Sequence, residues 1–272
     1  MEIKVKKIKD STDNNEEKRK REKIISLSER EKKMMEVIDK LRIARSEDLA
    51  WLCGYSDFSY CRKCLRKLEV NGFVNIASDR KGKKCYYLSG KGLNEIGKMN
   101  SHVYEISYNT NHELLVGRVC SYLKIVEGKN IDDMITDLMM KNMFKRKEHR
   151  PDLIIDNVCY EVELNHKKIE KWEKNILSNE RFDRQVWIVP DDKRNIAKNL
   201  VAIAKRVAVD IEILYLSVIK RIVSDANIHN NVKDEKIEMK FQADVMLKEK
   251  KESGIDSGES IVDRFLSYVE GS

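Results

Sequence analysis

Residues 150–163 constrain the fold of this chain more than any other stretch. Apolar runs flank the dipeptide Asp156-Asn157, which favours a tight turn, so the stretch predicts two short strands joined as a hairpin. Asp152 stands at the start of the first strand, and Glu161 and Glu163 stand near the end of the second. Because side chains alternate between the two faces of a strand, Glu161 and Glu163 are expected on one face. The hairpin therefore collects three carboxylates in a small region.

These three carboxylates predict a metal site. Buried carboxylates repel one another unless a cation lies between them. Mg²⁺ takes a few carboxylate oxygens together with water and phosphate, and such an ion activates water against a phosphodiester bond. We therefore expect Asp152, Glu161 and Glu163 to hold Mg²⁺ or Mn²⁺. The alternative is an exposed hairpin that carries ordinary surface acids.

The hairpin resembles the core of the PD-(D/E)xK nuclease superfamily, in which Pro-Asp on one strand faces Glu-x-Lys on the next. The dipeptide Pro151-Asp152 and the tripeptide Glu161-Val162-Glu163 carry the resemblance, which covers residues 111–216. It implies catalytic roles for Asp152, Glu161 and Glu163. One departure is that Glu163 occupies the Lys position, although some restriction enzymes of the superfamily carry Glu there.

The missing lysine leaves two further interpretations open. In a shifted register, Glu163 is the acid and Asn165 occupies the last position. Alternatively, a lysine that follows the hairpin substitutes for the missing one, and Lys167, Lys168 and Lys171 are available. We assign the role to Lys171, which would stabilise the charge of the transition state.

Composition sets wider bounds on the protein. The 272 residues can form two ordinary domains, each with its own core. A formal net charge of +7 and 36% charged residues predict a soluble protein that favours polyanions. No apolar run is long enough to span a bilayer or to act as a signal peptide, so we expect a cytoplasmic protein that does not bind membranes.

Residues 28–100 resemble a winged helix domain, after a charged leader at residues 1–27. Ser28 and Glu31 form a capping box ahead of the first helix. A second helix opens at Ser46, and a third spans residues 58–70. Two strands, at residues 73–76 and 85–88, flank a basic loop at 79–84, and Ser89 starts a closing helix. This order of three helices and a hairpin carries the resemblance.

The third helix and the basic loop predict an interface with double-stranded DNA. A recognition helix must point polar side chains into the major groove, while loop cations reach neighbouring phosphates. The alternative is a winged helix that makes protein contacts only. The expected DNA-binding residues of the helix are Tyr60, Arg62, Lys63, Arg66 and Lys67, and those of the loop are Arg80, Lys81, Lys83 and Lys84.

Four cysteines are candidates for a zinc site. Cys61 and Cys64 form one CxxC pair on the third helix, and Cys53 and Cys85 could complete four ligands. No second CxxC pair or pair of histidines follows at a suitable distance. We therefore expect buried free thiols, in keeping with a reducing compartment.

The chain changes character after residue 100. A helix opens at residues 111–116 with the sequence Asn-His-Glu-Leu-Leu-Val. The chain thus combines a winged helix, a helix that begins His-Glu-Leu, and then Arg-Pro-Asp and Glu-x-Glu. This combination resembles the replication-relaxation family of plasmids and integrating elements. The resemblance implies that Glu113 is the extra acid that nucleases of the superfamily place on their first helix. An ordinary surface glutamate is the alternative.

The remaining pattern predicts a restriction-endonuclease-like α/β domain at residues 108–222. Beyond the hairpin, a helix is expected at 166–177, a strand at 185–189, a helix at 196–207 and a strand at 211–216. Residues 223–272 are expected to be a polar tail that ends in a short amphipathic helix. The fold class is thus α/β (α+β), with a winged helix in front, and the sequence leaves a homodimer open.

These patterns favour a DNA-binding protein of a mobile element that acts in replication, transfer or their regulation. Its nuclease-like domain would be an inactive scaffold, and the missing lysine favours this interpretation. The alternative is an active, metal-dependent DNA endonuclease that cleaves phosphodiester bonds.

Overall fold

The computed structural model describes residues 26–79, 81–99, 101–107, 109–141, 143–145 and 148–229. Most of the expected leader, the expected C-terminal helix and Arg80 of the predicted basic loop lie outside these residues. Within them the chain has a mixed α/β fold with two sheets, one of three strands and one of five. The predicted α/β class is therefore confirmed.

The first helix, α1 (Glu29–Leu41), begins with the predicted capping box. The Ser28 hydroxyl accepts a hydrogen bond from the N–H of Glu31 at 3.3 Å. In return, the Glu31 carboxylate accepts one from the N–H of Ser28 at 2.8 Å. These bonds satisfy backbone donors that have no partner inside the helix. The inner face of α1 buries Met34, Met35, Val37, Ile38 and Leu41.

Two more helices follow a short strand, β1 (Ala44–Arg45): α2 (Ser46–Leu52) and α3 (Phe58–Val70). The carboxylate of Asp57 caps α3 by accepting a hydrogen bond from the N–H of Ser59 at 2.7 Å. One face of α3 buries Cys61, Cys64, Leu65 and Leu68. Its bounds agree with the prediction, because the cap and the apolar spacing are both local signals.

The small sheet has the order β1-β3-β2, where β2 spans Val74–Ser78 and β3 spans Lys84–Leu88, and all neighbours are antiparallel. Ser89 caps the short helix α4 (Gly90–Glu95). A Cβ at Gly92 would lie 2.1 Å from the carbonyl oxygen of Phe73, so only glycine permits this close approach.

The five-stranded sheet begins with the predicted hairpin. Strands β5 (Leu153–Ile155) and β6 (Val158–Val162) are antiparallel. Asp156 and Asn157 between them have φ angles of 48° and 60°, which is the left-handed backbone that a two-residue type I′ turn requires. The hairpin is therefore confirmed.

The other strands complete a mixed sheet of order β4-β5-β6-β7-β8. β4 (Ile135–Thr136) pairs antiparallel with β5, whereas β7 (Arg184–Val189) and β8 (Glu212–Tyr215) continue parallel to β6. A one-turn helix, α6 (Asp137–Met140), follows β4.

Helices cover both faces of this sheet. On one face lie α5 (Thr110–Glu127) and α9 (Leu216–His229), which share a core with β6 and β7. On the other face lie α7 (Ile169–Asn179) and α8 (Arg194–Arg206), packed around Trp172 and Trp187. Helix α9 runs through the boundary expected at residue 222, because its inner face buries Ile219, Ile222 and Val223.

The two parts of the chain share one hydrophobic core, which extends from Leu27 to Val223. Arg118 of α5 is buried at their junction. Its Nη2 lies 2.9 Å from Oε2 of Glu47, and its Nε lies 2.8 Å from Oδ1 of Asp48. Ser121 donates a further hydrogen bond to Asp48 at 3.2 Å. These contacts fix helix α5 against helix α2.

The six cysteines are all free. Cys61, Cys64 and Cys85 are buried, and burial raises the pKa of the Cys61 thiol to about 12. The expected buried free thiols are therefore confirmed for these three positions. No helix in the described part of the chain has the length and apolar character that crossing a bilayer requires.

Candidate functional site

The outer face of α3 exposes the basic side chains that the sequence places there. Arg62, Lys63 and Arg66 are exposed. Tyr60 is 44% exposed, and its ring centroid lies 5.7 Å from that of Tyr55. The helix therefore presents three cations and an aromatic ring to solvent, while its opposite face is buried in the core.

Lys67 also lies on α3, but it differs from these basic residues because it pairs with an acid of the same chain. Its Nζ lies 2.9 Å from the Glu31 carboxylate and 3.4 Å from the carbonyl oxygen of Ser26. The end of α3 lies against the start of α1, so Lys67 neutralises the capping-box acid there. Burial raises the pKa of Glu31, but bonds from Lys67 and Ser28 outweigh it and lower that pKa overall. Lys67 thus forms an ion pair between α3 and α1, and its assignment to DNA stays a prediction.

The basic loop between β2 and β3, residues 79–84, is held at its base by Asp79. The Asp79 carboxylate accepts hydrogen bonds from the N–H groups of Lys81 at 2.8 Å and Lys83 at 2.9 Å. Arg45 donates two more, at 3.0 and 3.1 Å. Burial alone would raise the pKa of Asp79, but these four bonds lower it. The side chains of Lys81, Lys83 and Lys84 are exposed.

A cleft of about 630 Å³ lies between α3 and β3. Five of its nine lining residues are basic, and two, Glu47 and Glu69, are acidic. Lys83 lies 3.3 Å from Glu47, so part of the positive charge is neutralised within the cleft. Arginine and lysine side chains in such a cleft can bind phosphate oxygens. The basic residues are Arg45, Arg62, Arg66, Lys83 and Lys84.

In the acidic hairpin, Asp152 directly precedes strand β5. Its Oδ2 accepts a hydrogen bond from the N–H of Val162 at 2.7 Å and lies 3.1 Å from Nε2 of His112. Burial alone would lower the pKa of His112, but the hydrogen bond and charge of Asp152 raise it to about 9. His112 is therefore protonated at neutral pH and neutralises Asp152.

Glu161 lies on β6 and is 5% exposed. Its Oε1 accepts a hydrogen bond from Nδ2 of Asn179 at 2.8 Å and also contacts Nε2 of His149. Burial raises the pKa of Glu161, the bond from His149 lowers it, and the charge of Asp152 raises it further. The net pKa is raised. The effect of Asp152 places the two carboxylates near each other, as their adjacent positions on β5 and β6 predict.

Glu163 follows β6 and is 3% exposed. Its Oε2 accepts a hydrogen bond from Nε1 of Trp172 at 2.9 Å and lies 2.5 Å from Nζ of Lys167. The lysine beside the hairpin is thus Lys167 rather than Lys171, which is exposed in the first turn of α7. The next residue of α7, Trp172, is the one that donates a hydrogen bond to Glu163.

Glu113 does not join the hairpin carboxylates. It accepts hydrogen bonds from Nη1 of Arg42 at 3.0 Å and from the Tyr104 hydroxyl at 2.5 Å. Successive residues on a helix are turned by about 100°, so His112 faces the hairpin while Glu113 faces the first part of the chain. Glu113 thus bonds to Arg42 and Tyr104 rather than to the hairpin, and its role as an extra acid of the site stays a prediction.

The arrangement does not fit a metal centre built from all three carboxylates. Each carboxylate already has a side-chain partner in this chain: Asp152 contacts His112, Glu161 contacts His149, and Glu163 contacts Lys167. A divalent ion would need oxygens of several carboxylates to converge on it. Among the residues that the structure describes, no three His, Cys, Asp or Glu side chains are grouped so that they could hold a metal ion.

Sequence reasoning missed the partners of the hairpin. The sequence gives no sign that His112, forty positions before Asp152, contacts its carboxylate. His149 was not considered, although it stands three residues before Asp152 and could have drawn attention. Asn179 is the last residue of α7 and gave no local signal.

The chain was compared with protein family models, with curated proteins and with solved structures. The resemblances to the PD-(D/E)xK superfamily and to the replication-relaxation family stay predictions, because none of the three comparisons yields a match.

Proposed function

We propose that the protein binds double-stranded DNA through α3 and the loop between β2 and β3, which together form a winged helix domain. The observation that carries the proposal is the shared cleft. Arg62 and Arg66 of α3 line the same cleft as Lys83 and Lys84 of the loop. A recognition helix in a major groove and a wing on the adjacent backbone require basic groups on both elements.

The second part of the chain is proposed to be a restriction-endonuclease-like scaffold without an assembled metal centre. The antiparallel hairpin, the parallel strands β7 and β8 and the flanking helices support the likeness to that fold. The three separate pairings of Asp152, Glu161 and Glu163 support the loss of metal binding. In this reading the hairpin stabilises the domain and does not cleave DNA.

A role in the replication, transfer or regulation of a mobile element follows from the family resemblance alone. A winged helix gives such a protein a means to find a DNA site. Its second part then supplies a surface that lies at a fixed position relative to the bound DNA, because the two parts share one core.

The double substitution of Arg62 and Arg66 by glutamine tests the proposal. Each lost base contact is expected to cost about 1–3 kcal/mol and to relax sequence specificity. Replacement of Lys83 and Lys84 by glutamine should instead weaken binding to all duplexes and flatten its dependence on salt. Binding is measured by fluorescence anisotropy with labelled duplexes over a salt series.

A matched control is available on α8. Lys198 and Lys205 are exposed there, on the opposite face of the large sheet from α5 and α9. Their replacement by glutamine removes the same charge and should leave DNA affinity close to that of the wild type. Equal losses in the control and in the Arg62 and Arg66 variant would show that only net charge matters, and would contradict the proposed interface.

The alternative function, a metal-dependent endonuclease, keeps one observation in its favour. Asp152 and Glu161 lie on adjacent strands close enough for their charges to interact, and Lys167 stands beside Glu163. Cleavage of a supercoiled plasmid in Mg²⁺ or Mn²⁺ that is lost in Asp152→Asn would establish this alternative.

A further inference from the structure

Helix α3 carries an acidic side chain among the basic ones that line the cleft. Glu69 stands seven positions after Arg62 and three after Arg66, and all three line the cleft between α3 and β3. Residues that are three or four positions apart on a helix are neighbours on one face. These three exposed side chains therefore form a single row along the helix, the α3 row.

The Glu69 carboxylate has no partner of its own, unlike the other carboxylate of the cleft. Glu47 lies 2.9 Å from Arg118 and 3.3 Å from Lys83, so its charge is already balanced within the chain. In the part of the chain that the structure describes, no hydrogen bond or ion pair joins the side chain of Glu69 to another residue. The same holds for the two arginines of the α3 row. All three charged groups of the row are therefore available to a ligand.

The mixed charge of the α3 row distinguishes contacts to bases from contacts to the DNA backbone. A carboxylate repels phosphate oxygens, so Glu69 would weaken a contact made to the backbone alone. The base edges in the major groove present acceptors as well as donors. Guanine offers O6 and N7 to an arginine, whereas cytosine offers its N4 amino group to a carboxylate. A row of two arginines and one glutamate therefore fits the edges of G·C base pairs better than it fits phosphates.

The length of the row suits a short run of base pairs. A helix rises about 1.5 Å per residue, so the α3 row extends over about 10 Å. Successive base pairs lie about 3.4 Å apart, and the row therefore spans about three of them.

We propose that Glu69 determines sequence specificity by accepting a hydrogen bond from N4 of a cytosine, beside guanines that Arg62 and Arg66 contact. The inference rests on the proposed function and adds to it the class of DNA site, one that contains G·C pairs. Because the carboxylate also repels phosphates, Glu69 lowers the affinity for duplexes that offer no cytosine at this position. Specificity thus increases on both grounds.

The substitution Glu69→Gln tests the inference. Glutamine has nearly the same size, but its amide pairs with the N6 and N7 atoms of adenine. The probe is a library of duplexes with a randomised central segment, from which the wild type and the variant select their sites. The wild type should select guanines and, at one fixed position, cytosine. In Glu69→Gln the preference for cytosine at that position should fall about five- to tenfold, with adenine gaining in its place.

Glu36→Gln is the matched control. Glu36 is exposed on α1 and does not line the cleft, so its substitution removes the same charge elsewhere in the first part of the chain. This variant should select the same sites as the wild type. Neither glutamate forms an ion pair among the described residues, so both variants should melt at the wild-type temperature.

The outcomes separate this inference from the proposed function. If Glu69→Gln selects the wild-type sites with the wild-type preference, or changes only the overall affinity as Glu36→Gln does, the inference is wrong. A wild type that binds every member of the library equally well also overturns it. In these cases salt-dependent binding that is lost in the Arg62 and Arg66 variant leaves the winged helix interface standing. If the wild type shows no salt-dependent binding to any duplex, the proposed function fails and the inference fails with it.

Discussion

Nε2 of His112 lies 3.1 Å from Oδ2 of Asp152 and 3.1 Å from the carbonyl oxygen of Val162. The imidazole thus joins the first turn of α5 to both strands of the acidic hairpin. Its pKa is raised to about 9, so the pair is ionic at neutral pH. The contact gives Asp152 a positively charged partner within this chain.

The His112 contact predicts that stability decreases as pH rises from about 6.5 to 9. The folded chain holds the His112 proton up to about pH 9, whereas the unfolded chain releases it near 6.5. The stabilisation is therefore complete below pH 6.5 and is lost as pH passes the folded pKa. Because the side chain is 32% exposed, we expect a loss of about 1–2 kcal/mol. Urea unfolding at several pH values measures it.

Two variants isolate the contribution of His112 from those of other titrating groups. His112→Gln should remove this part of the pH dependence, since glutamine does not titrate. His102→Gln changes an exposed histidine in the connection between the two parts and should keep the wild-type curve. Identical curves for the wild type and His112→Gln would show that the His112 pair contributes nothing to the pH dependence.

A second prediction concerns the ion pair between Arg118 and Asp48, whose side chains are 7% and 1% exposed. Arg118→Met leaves the Asp48 charge buried without its partner and should destabilise the fold by about 3–5 kcal/mol. The further change Asp48→Asn removes that charge and should restore part of the loss. The free energy of unfolding of both variants is measured by urea denaturation. If the double variant is no more stable than Arg118→Met, an uncompensated charge is not the cause.

The fold could be predicted wherever the signals are local. The capping box of Ser28 and Glu31 and the turn at Asp156-Asn157 each depend on neighbours within a few residues. Helix α9 was missed because its first residues, 216–223, continue the apolar run of β8, and its later residues are polar. A helix whose buried face occupies only its first half resembles a strand followed by a tail.

The site was predicted only in part, because side-chain pairing depends on packing between distant elements. The sequence places Asp152 and Glu161 in one hairpin, but their partners, His112 and Asn179, come from α5 and α7. No spacing in the sequence shows that these helix ends meet the hairpin. The same limit explains Lys67, whose partner Glu31 lies thirty-six positions earlier in the chain.

The third prediction separates a structural role of Lys67 from a role in DNA binding. Lys67→Gln removes the ion pair with Glu31, so the fold should lose about 0.5–1 kcal/mol of stability. DNA affinity should stay near that of the wild type, because Lys67 faces α1 rather than the cleft. Arg66→Gln, one position earlier, should show the reverse pattern in melting and anisotropy measurements. If Lys67→Gln loses as much DNA affinity as Arg66→Gln, Lys67 belongs to the DNA-binding surface.

The last prediction is that Mg²⁺ and Mn²⁺ do not stabilise the wild-type protein specifically. An ion bound to the folded state at about 100 times its dissociation constant would add about 2.7 kcal/mol of stability. Here His112, His149 and Lys167 already contact the three carboxylates, so an ion would have to displace these side chains. Thermal melting in Mg²⁺, in Mn²⁺ and in NaCl of equal ionic strength should therefore coincide.

The triple variant His112→Gln, His149→Gln and Lys167→Gln turns this prediction into a positive test. Without these three partners, the hairpin holds carboxylates that repel one another, and a divalent ion should now raise the melting temperature. Asp152→Asn added to this variant should abolish the gain, since it removes one of the oxygen ligands that would bind the ion. If a metal ion already raises the melting temperature of the wild type but not that of Asp152→Asn, the ion displaces the native partners of the carboxylates. The second part of the chain would then be a metal-binding domain, and plasmid cleavage under the same conditions would decide whether it acts as a nuclease.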